Sequence, residues 1–112
     1  MSDGYLSGAA VTPSNGLVLA SMVAPTSSQV RSVVGSAASS GASPTVLDVL
    51  KNGASMYHGS APKPTIGAGK TGKFSLALPT DRALQQWDVL SLLVLSAGGH
   101  GGVVATAQIE TP

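Results

Sequence analysis

The sequence predicts an all-β domain, an antiparallel β-sandwich of jelly-roll or immunoglobulin-like type with about six to eight short strands. Three observations predict it. Fourteen glycines and seven prolines break the chain every few residues, too often for runs of helical period. The segments between the breaks are short and rich in Val and Leu, which suit a pleated, half-buried surface. Several of them alternate apolar with polar residues, the period of a strand with one wet face.

Taken in order, residues 1–13 carry no strand pattern and are expected to form an extended N-terminal arm, with residues 14–112 as one domain. At 112 residues the chain has no length for a second core. A first strand is expected over residues 17–23, between Asn15-Gly16 and Pro25, and a second over 29–34. The Gly/Ala/Ser-rich stretch 35–44 is a loop, either flexible or close-packed, because small residues permit both. Residues 46–51 and 54–58 flank Asn52-Gly53. That dipeptide suits a type I′ hairpin turn, whose two central residues both need positive φ. A long loop over 59–72 leaves room for one short strand at Ile66.

Phe74, Leu76 and Leu78 then alternate with Lys73, Ser75 and Ala77, as in a half-buried strand. Residues 80–86 are compatible with one helical turn capped by Thr80 or Asp81. Residues 88–96 are apolar on both faces, which predicts a central strand covered twice. Residues 103–110 alternate again, and the glycine-rich stretch 98–102 is expected to join the two as a hairpin loop. Only four aromatic residues occur, and Trp87 and Phe74 are the expected large plugs of a Leu/Val core.

Charged residues make up only 10% of the chain, against about 25% in ordinary domains. Such a surface is either covered in an assembly or made of Ser, Thr and Gly. The net charge is +1 and the six basic residues are scattered, so the clustered cations of a nucleic-acid interface are absent. There is no cysteine, which removes disulfides, thiolate catalysis and Cys-based zinc sites. The start of the chain lacks a basic, apolar leader. The most apolar run, 89–97, is far shorter than a membrane helix needs. No membrane partner is expected.

No catalytic, cofactor-binding or metal-binding residue is expected. Residues 67–73, Gly-Ala-Gly-Lys-Thr-Gly-Lys, imitate the end of a phosphate-binding loop. The glycine such a loop needs five places earlier is Pro64, and a strand pattern follows where a helix is required. His58 and His100 lack ligand partners at structured spacing and read as solvated turn residues. Asp48 and Asp88 read as acceptors for turn or backbone N–H groups, not as an acid–base pair. The chain is therefore not expected to be an enzyme.

Three segments carry a family resemblance: Val46-Leu47-Asp48-Val49-Leu50-Lys51-Asn52-Gly53, Pro64-Thr65-Ile66-Gly67-Ala68-Gly69, and Trp87-Asp88-Val89-Leu90-Ser91-Leu92. In this order they resemble the β-sandwich modules of tailed-bacteriophage virion proteins found in capsid decorations, head fibres and tail-associated proteins. The similarity spans residues 29–110, and it departs at Trp87, where the family tends to have glycine before the aspartate. The resemblance implies a structural virion protein without catalytic residues or cofactors. The expected role is a capsid decoration protein on the outer surface of the head, made in the host cytoplasm. Its partners would be the major capsid protein and copies of itself, as a homo-oligomer, most simply a trimer. Ser2, Asp3, Gly4, Tyr5 and Leu6 would then be the capsid-docking arm, with Asn52 and Gly53 the hairpin turn. The alternative is a tail or head-fibre module that recognises a host-surface carbohydrate.

Overall fold

The computed structural model describes residues 3–110. They form an all-β sandwich of two antiparallel sheets with ten strands, several of them only two residues long. Sheet A contains β1 (Asp3–Ala10), β10 (Val103–Glu110), β3 (Ser28–Ala37) and β7 (Gly72–Leu76) in that spatial order, and β8 (Ala83–Leu84) also pairs with β3. Sheet B contains β2 (Val18–Val23), β9 (Val89–Ser96), β4 (Thr45–Lys51) and β5 (Ala54–Ser55), with β6 (Thr65–Ile66) pairing β4. The antiparallel sandwich expected from period and punctuation is present.

The core is the space between the sheets. Val30 and Val33 from β3, Ala105, Ala107 and Ile109 from β10, and Leu6 from β1 face Leu47 and Val49 of β4 and Leu90, Leu92 and Val94 of β9. All are buried. Alternate residues of these strands point inward, with one bulge in β3 that puts Val30 and Val33 three apart on the same side, so alternation in the sequence becomes burial in the fold.

Residues 3–10 are a correction to the expected arm. They pair with β10 in a continuous register from Asp3↔Glu110 to Ala10↔Val103. Gly/Ala/Ser composition hides the strand, but small residues are what the position demands. A Cβ at Gly8 would meet the Leu19 carbonyl oxygen at 2.4 Å, so β1 lies directly on the backbone of β2. Ser2 lies outside the described residues.

The turn at Asn52-Gly53 forms as expected, with φ of 54° and 85°, and joins β4 to β5. Elsewhere the structure departs from expectation at residues 80–86, at 98–102 and at Trp87, and it decides between the two forms expected of the loop before β4. Residues 80–86 contain the bridge strand β8 instead of a helical turn; the Asp81 carboxylate accepts from the Ala83 N–H two residues on, which holds an extended turn. Residues 98–102 form no hairpin, because β9 and β10 belong to different sheets. The small-residue loop before β4 is the close-packed version: a Cβ at Gly98 would sit 2.0 Å from the Ser43 carbonyl oxygen. Trp87 is not a core plug; it is 68% exposed.

Candidate functional site

Buried polar groups are structural. His100, expected in solvent, is 2% exposed. Its Nε2 lies 2.9 Å from the Gly67 carbonyl oxygen, which can only accept, so Nε2 carries the proton. In the neutral ring Nδ1 then accepts from the Thr45 hydroxyl at 2.7 Å, and Thr45 Oγ1 accepts from the Gly98 N–H. The imidazole thus ties three loops together at one end of the sandwich. His58 is exposed, as expected.

Asp48 is buried and accepts from the Val49 N–H and the Ser55 hydroxyl. Tyr57 is buried and donates its hydroxyl proton to the Ala77 carbonyl at 2.6 Å. Burial first, and the Asp48 carboxylate second, push its phenol above the ordinary value. Among the described residues every buried side-chain nitrogen and oxygen has a hydrogen-bond partner. No three His, Cys, Asp or Glu residues among them converge as metal ligands would. The Gly67–Lys73 segment runs into strand β7, so no helix N-terminus is aimed at a phosphate there.

The two outer faces of the sandwich differ in chemistry. On sheet A the outward residues mix hydroxyls and amides with the exposed Val34 and Val104. Ser7 and Thr106 share a hydrogen bond at 3.0 Å, Ser32 donates to Gln108 Oε1, and Gln108 Nε2 donates to the Tyr5 hydroxyl. Beside this network lies a groove of about 420 Å³ across β10, β3 and β7, lined by Val34, Ser36, Lys73, Ser75, Val104 and Thr106 among others.

On sheet B the outward residues are mostly apolar. Val18 pairs with Leu93, and Val23 with Val89. Val18 and Val23 are each 51% exposed, Leu95 is 44% exposed, and Val89 is 38% exposed. Between the valine pairs, Ser21 and Ser91 bond to each other at 2.9 Å. Strand β9 is central, as its apolar pattern predicts. On its outward side Ser91 and Leu93 are half-buried, whereas Val89 and Leu95 at the two ends are exposed.

Trp87 stands where this face ends. Its N–H donates to the Ala24 carbonyl at 2.7 Å, one residue beyond the Val23–Val89 pair. The Asp88 N–H closes a turn on the Gln85 carbonyl, which makes Trp87 the third residue of that turn. Its φ is +74°, the left-handed region that favours glycine at this position of a type II turn. The Asp88 carboxylate accepts from the Gln85 N–H and from Asn52 Nδ2. These two donors, the backbone one foremost, hold it below the usual carboxylate range. Asn52 Oδ1 accepts from the Val89 N–H. The hairpin turn thereby pins the start of β9 and the tryptophan turn before it.

Of the expected docking residues, Leu6 is buried in the core, whereas Gly4 and Tyr5 are exposed. Asp3 opens β1 at the edge of sheet A. The sequence matches no known family profile, and no curated protein is significantly similar to it. The fold is similar to a family 35 carbohydrate binding module from Clostridium thermocellum, with 12% identity and a TM-score of 0.52 over 100% of both chains. PirA is a weaker match, at 10% identity and a TM-score of 0.37, over 96% of this chain and 91% of that one. The likeness to the carbohydrate binding module is one of β-sandwich architecture.

Proposed function

We propose that the chain is a non-enzymatic assembly module of a tailed-bacteriophage virion, a decoration protein that binds the outer surface of the head through the major capsid protein. The observation that carries the reading is a low-charge sandwich with its polar interior fully satisfied and with surfaces suited to protein contact. Strand β1 is one such surface. It pairs on one side only, with β10, and between Gly4 and Ala10 it carries no charge or proline that would discourage further pairing. The exposed Tyr5 gives that edge an aromatic anchor.

A contact made only on the assembled shell stabilises the shell by mass action. Purified protein added to bare heads should therefore co-sediment with them and raise their resistance to heat. Tyr5→Ala should weaken co-sedimentation while leaving the fold intact. Heads that neither bind the protein nor differ in heat resistance would remove this reading.

Recognition of a host-surface carbohydrate is the second reading. It is favoured by the groove on sheet A, where Val34, Phe74 and Val104 supply an apolar floor and Ser36, Ser75, Thr106 and Lys73 supply polar groups, a mixture that suits a hydroxylated ligand. The likeness to a carbohydrate binding module supports it at the level of fold. Binding on a glycan array that is lost in Lys73→Ala and Thr106→Val would favour it over shell decoration.

A further inference from the structure

We infer that the Asn52-Gly53 turn is a site of spontaneous covalent modification, at which the asparagine amide is converted to a carboxylate or to an isoaspartyl link. The chain has two asparagines, Asn15 and Asn52, and each precedes a glycine. Glycine has no Cβ to shield its nitrogen from the preceding side chain, and asparagine is a thermolabile residue. Both sites are therefore open to the chemistry by sequence. The fold tells them apart.

The reaction is an intramolecular acyl transfer. Hydroxide takes the glycine N–H proton, and that nitrogen attacks the asparagine Cγ. The new N–C bond closes a cyclic imide, and the Cγ–Nδ2 bond breaks. The leaving nitrogen takes a proton from water and departs as ammonia, which regenerates the hydroxide. Water then adds across one of the two imide C–N bonds. Opening at Cγ leaves an aspartate. Opening at the backbone carbonyl leaves the main chain running through Cγ, one carbon longer than before. One water is consumed and one ammonia released.

At Gly16 the nucleophile is engaged. Its N–H donates to the Val94 carbonyl at 2.7 Å, inside a turn that the Leu17 N–H closes on the Ser14 carbonyl. At Gly53 the N–H meets no acceptor among the described residues, and the space where a Cβ would stand is open. That nitrogen is available to base. The side-chain carbonyl does not separate the sites, because Asn15 Oδ1 accepts from the Ala97 N–H and Asn52 Oδ1 from the Val89 N–H. The glycine nitrogen does. A hydrogen bond that must break first slows a step by about threefold to tenfold.

The product also acts on the fold. Asn52 Nδ2 donates to Asp88 Oδ1 at 2.9 Å. A carboxylate at position 52 sets oxygen against oxygen there, and two like charges face each other. The isoaspartyl branch lengthens the main chain in a turn whose two φ values are fixed at 54° and 85°. Either product loosens the tie between the hairpin turn and the Trp87 turn.

Peptide mapping by mass spectrometry tests this. The full chain is held in mildly alkaline buffer for weeks, and each asparagine is scored for the mass gain of amide-to-acid conversion. A parallel sample in urea gives the intrinsic rates of the unfolded chain. Folding should raise the ratio of Asn52 to Asn15 conversion at least about threefold over the ratio in urea. A smaller rise overturns the inference, as does an Asn52 that stays intact in the folded chain while the urea sample converts. Asn52→Asp, which makes the direct product in advance, should melt below the wild type. A melting temperature equal to or above that of the wild type overturns the loosening of the two turns.

Discussion

Replacing Trp87 with glycine should cost the fold less stability than the loss of a core tryptophan. The residue is 68% exposed, so about a third of its surface is covered. A tryptophan buries up to about 250 Å², and a third of that at about 25 cal/mol/Å² is at most ~2 kcal/mol. Against this loss stands relief of the left-handed φ, worth about 1–2 kcal/mol for a residue with a Cβ. Glycine gives back about 0.5–1 kcal/mol of that in chain entropy. The terms partly cancel, and the net loss is no more than about 2 kcal/mol. A buried core tryptophan would instead lose about 3–5 kcal/mol. Urea denaturation followed by far-ultraviolet circular dichroism separates the two outcomes. Because this is the only tryptophan, its fluorescence gives a second check: the emission should be red-shifted and readily quenched by iodide. A loss above about 3 kcal/mol, or emission protected from quenching, would refute the reasoning.

Three further outcomes follow from the buried and paired polar groups. His100→Ala should cost about 3–5 kcal/mol, because it opens a cavity and orphans the Gly67 carbonyl and the Thr45 hydroxyl; a loss under about 1 kcal/mol in urea titration would contradict the three-loop tie. Tyr57 is raised above its ordinary value of 10.0, so its protonated form is favoured in the fold. That contribution is complete below pH 10 and disappears as pH climbs toward the higher folded value, and Tyr57→Phe should flatten this alkaline limb at a cost of about 1 kcal/mol at neutral pH. Asp81 is lowered from 3.8, chiefly by its hydrogen bond from Lys51 and next by the Ala83 N–H. Its contribution is therefore present above pH 3.8 and lost as acid drives the pH down through the folded value; Asp81→Asn should reduce the acid dependence of the melting temperature.

The strands that the sequence made plain were those with strong alternation and a strong turn. Residues 103–110 alternate, and Asn52-Gly53 supplies the two positive φ values its hairpin needs. Strand β1 was illegible because its inward pattern rests on Leu6 alone; Gly4, Gly8 and Ala10 on the same side are small, and at Gly8 the backbone approaches β2. His100 looked solvated because it is ringed by glycines, yet those glycines are what let the loop close around the imidazole. Trp87 was misplaced by its hydrophobicity. The available signal was local: the residue before Asp88 is the third of a tight turn, and a side chain there is aimed by the turn instead of by the sheet's alternation. The outer face of sheet B was half legible, since the doubly apolar β9 is central as expected while Val89 and Leu95 stay exposed on its outward side.

The antiparallel pairing of β1 with β10 also governs how the domain answers mechanical load. Asp3 stands opposite Glu110, so a tether on each would pull at the same end of one ladder. Force applied that way peels the two strands apart one rung at a time, and it never loads all the rungs in parallel as shear would. A linkage through the chain ends is thus the compliant direction of this domain, and stiff attachment to anything larger has to run through its flanks.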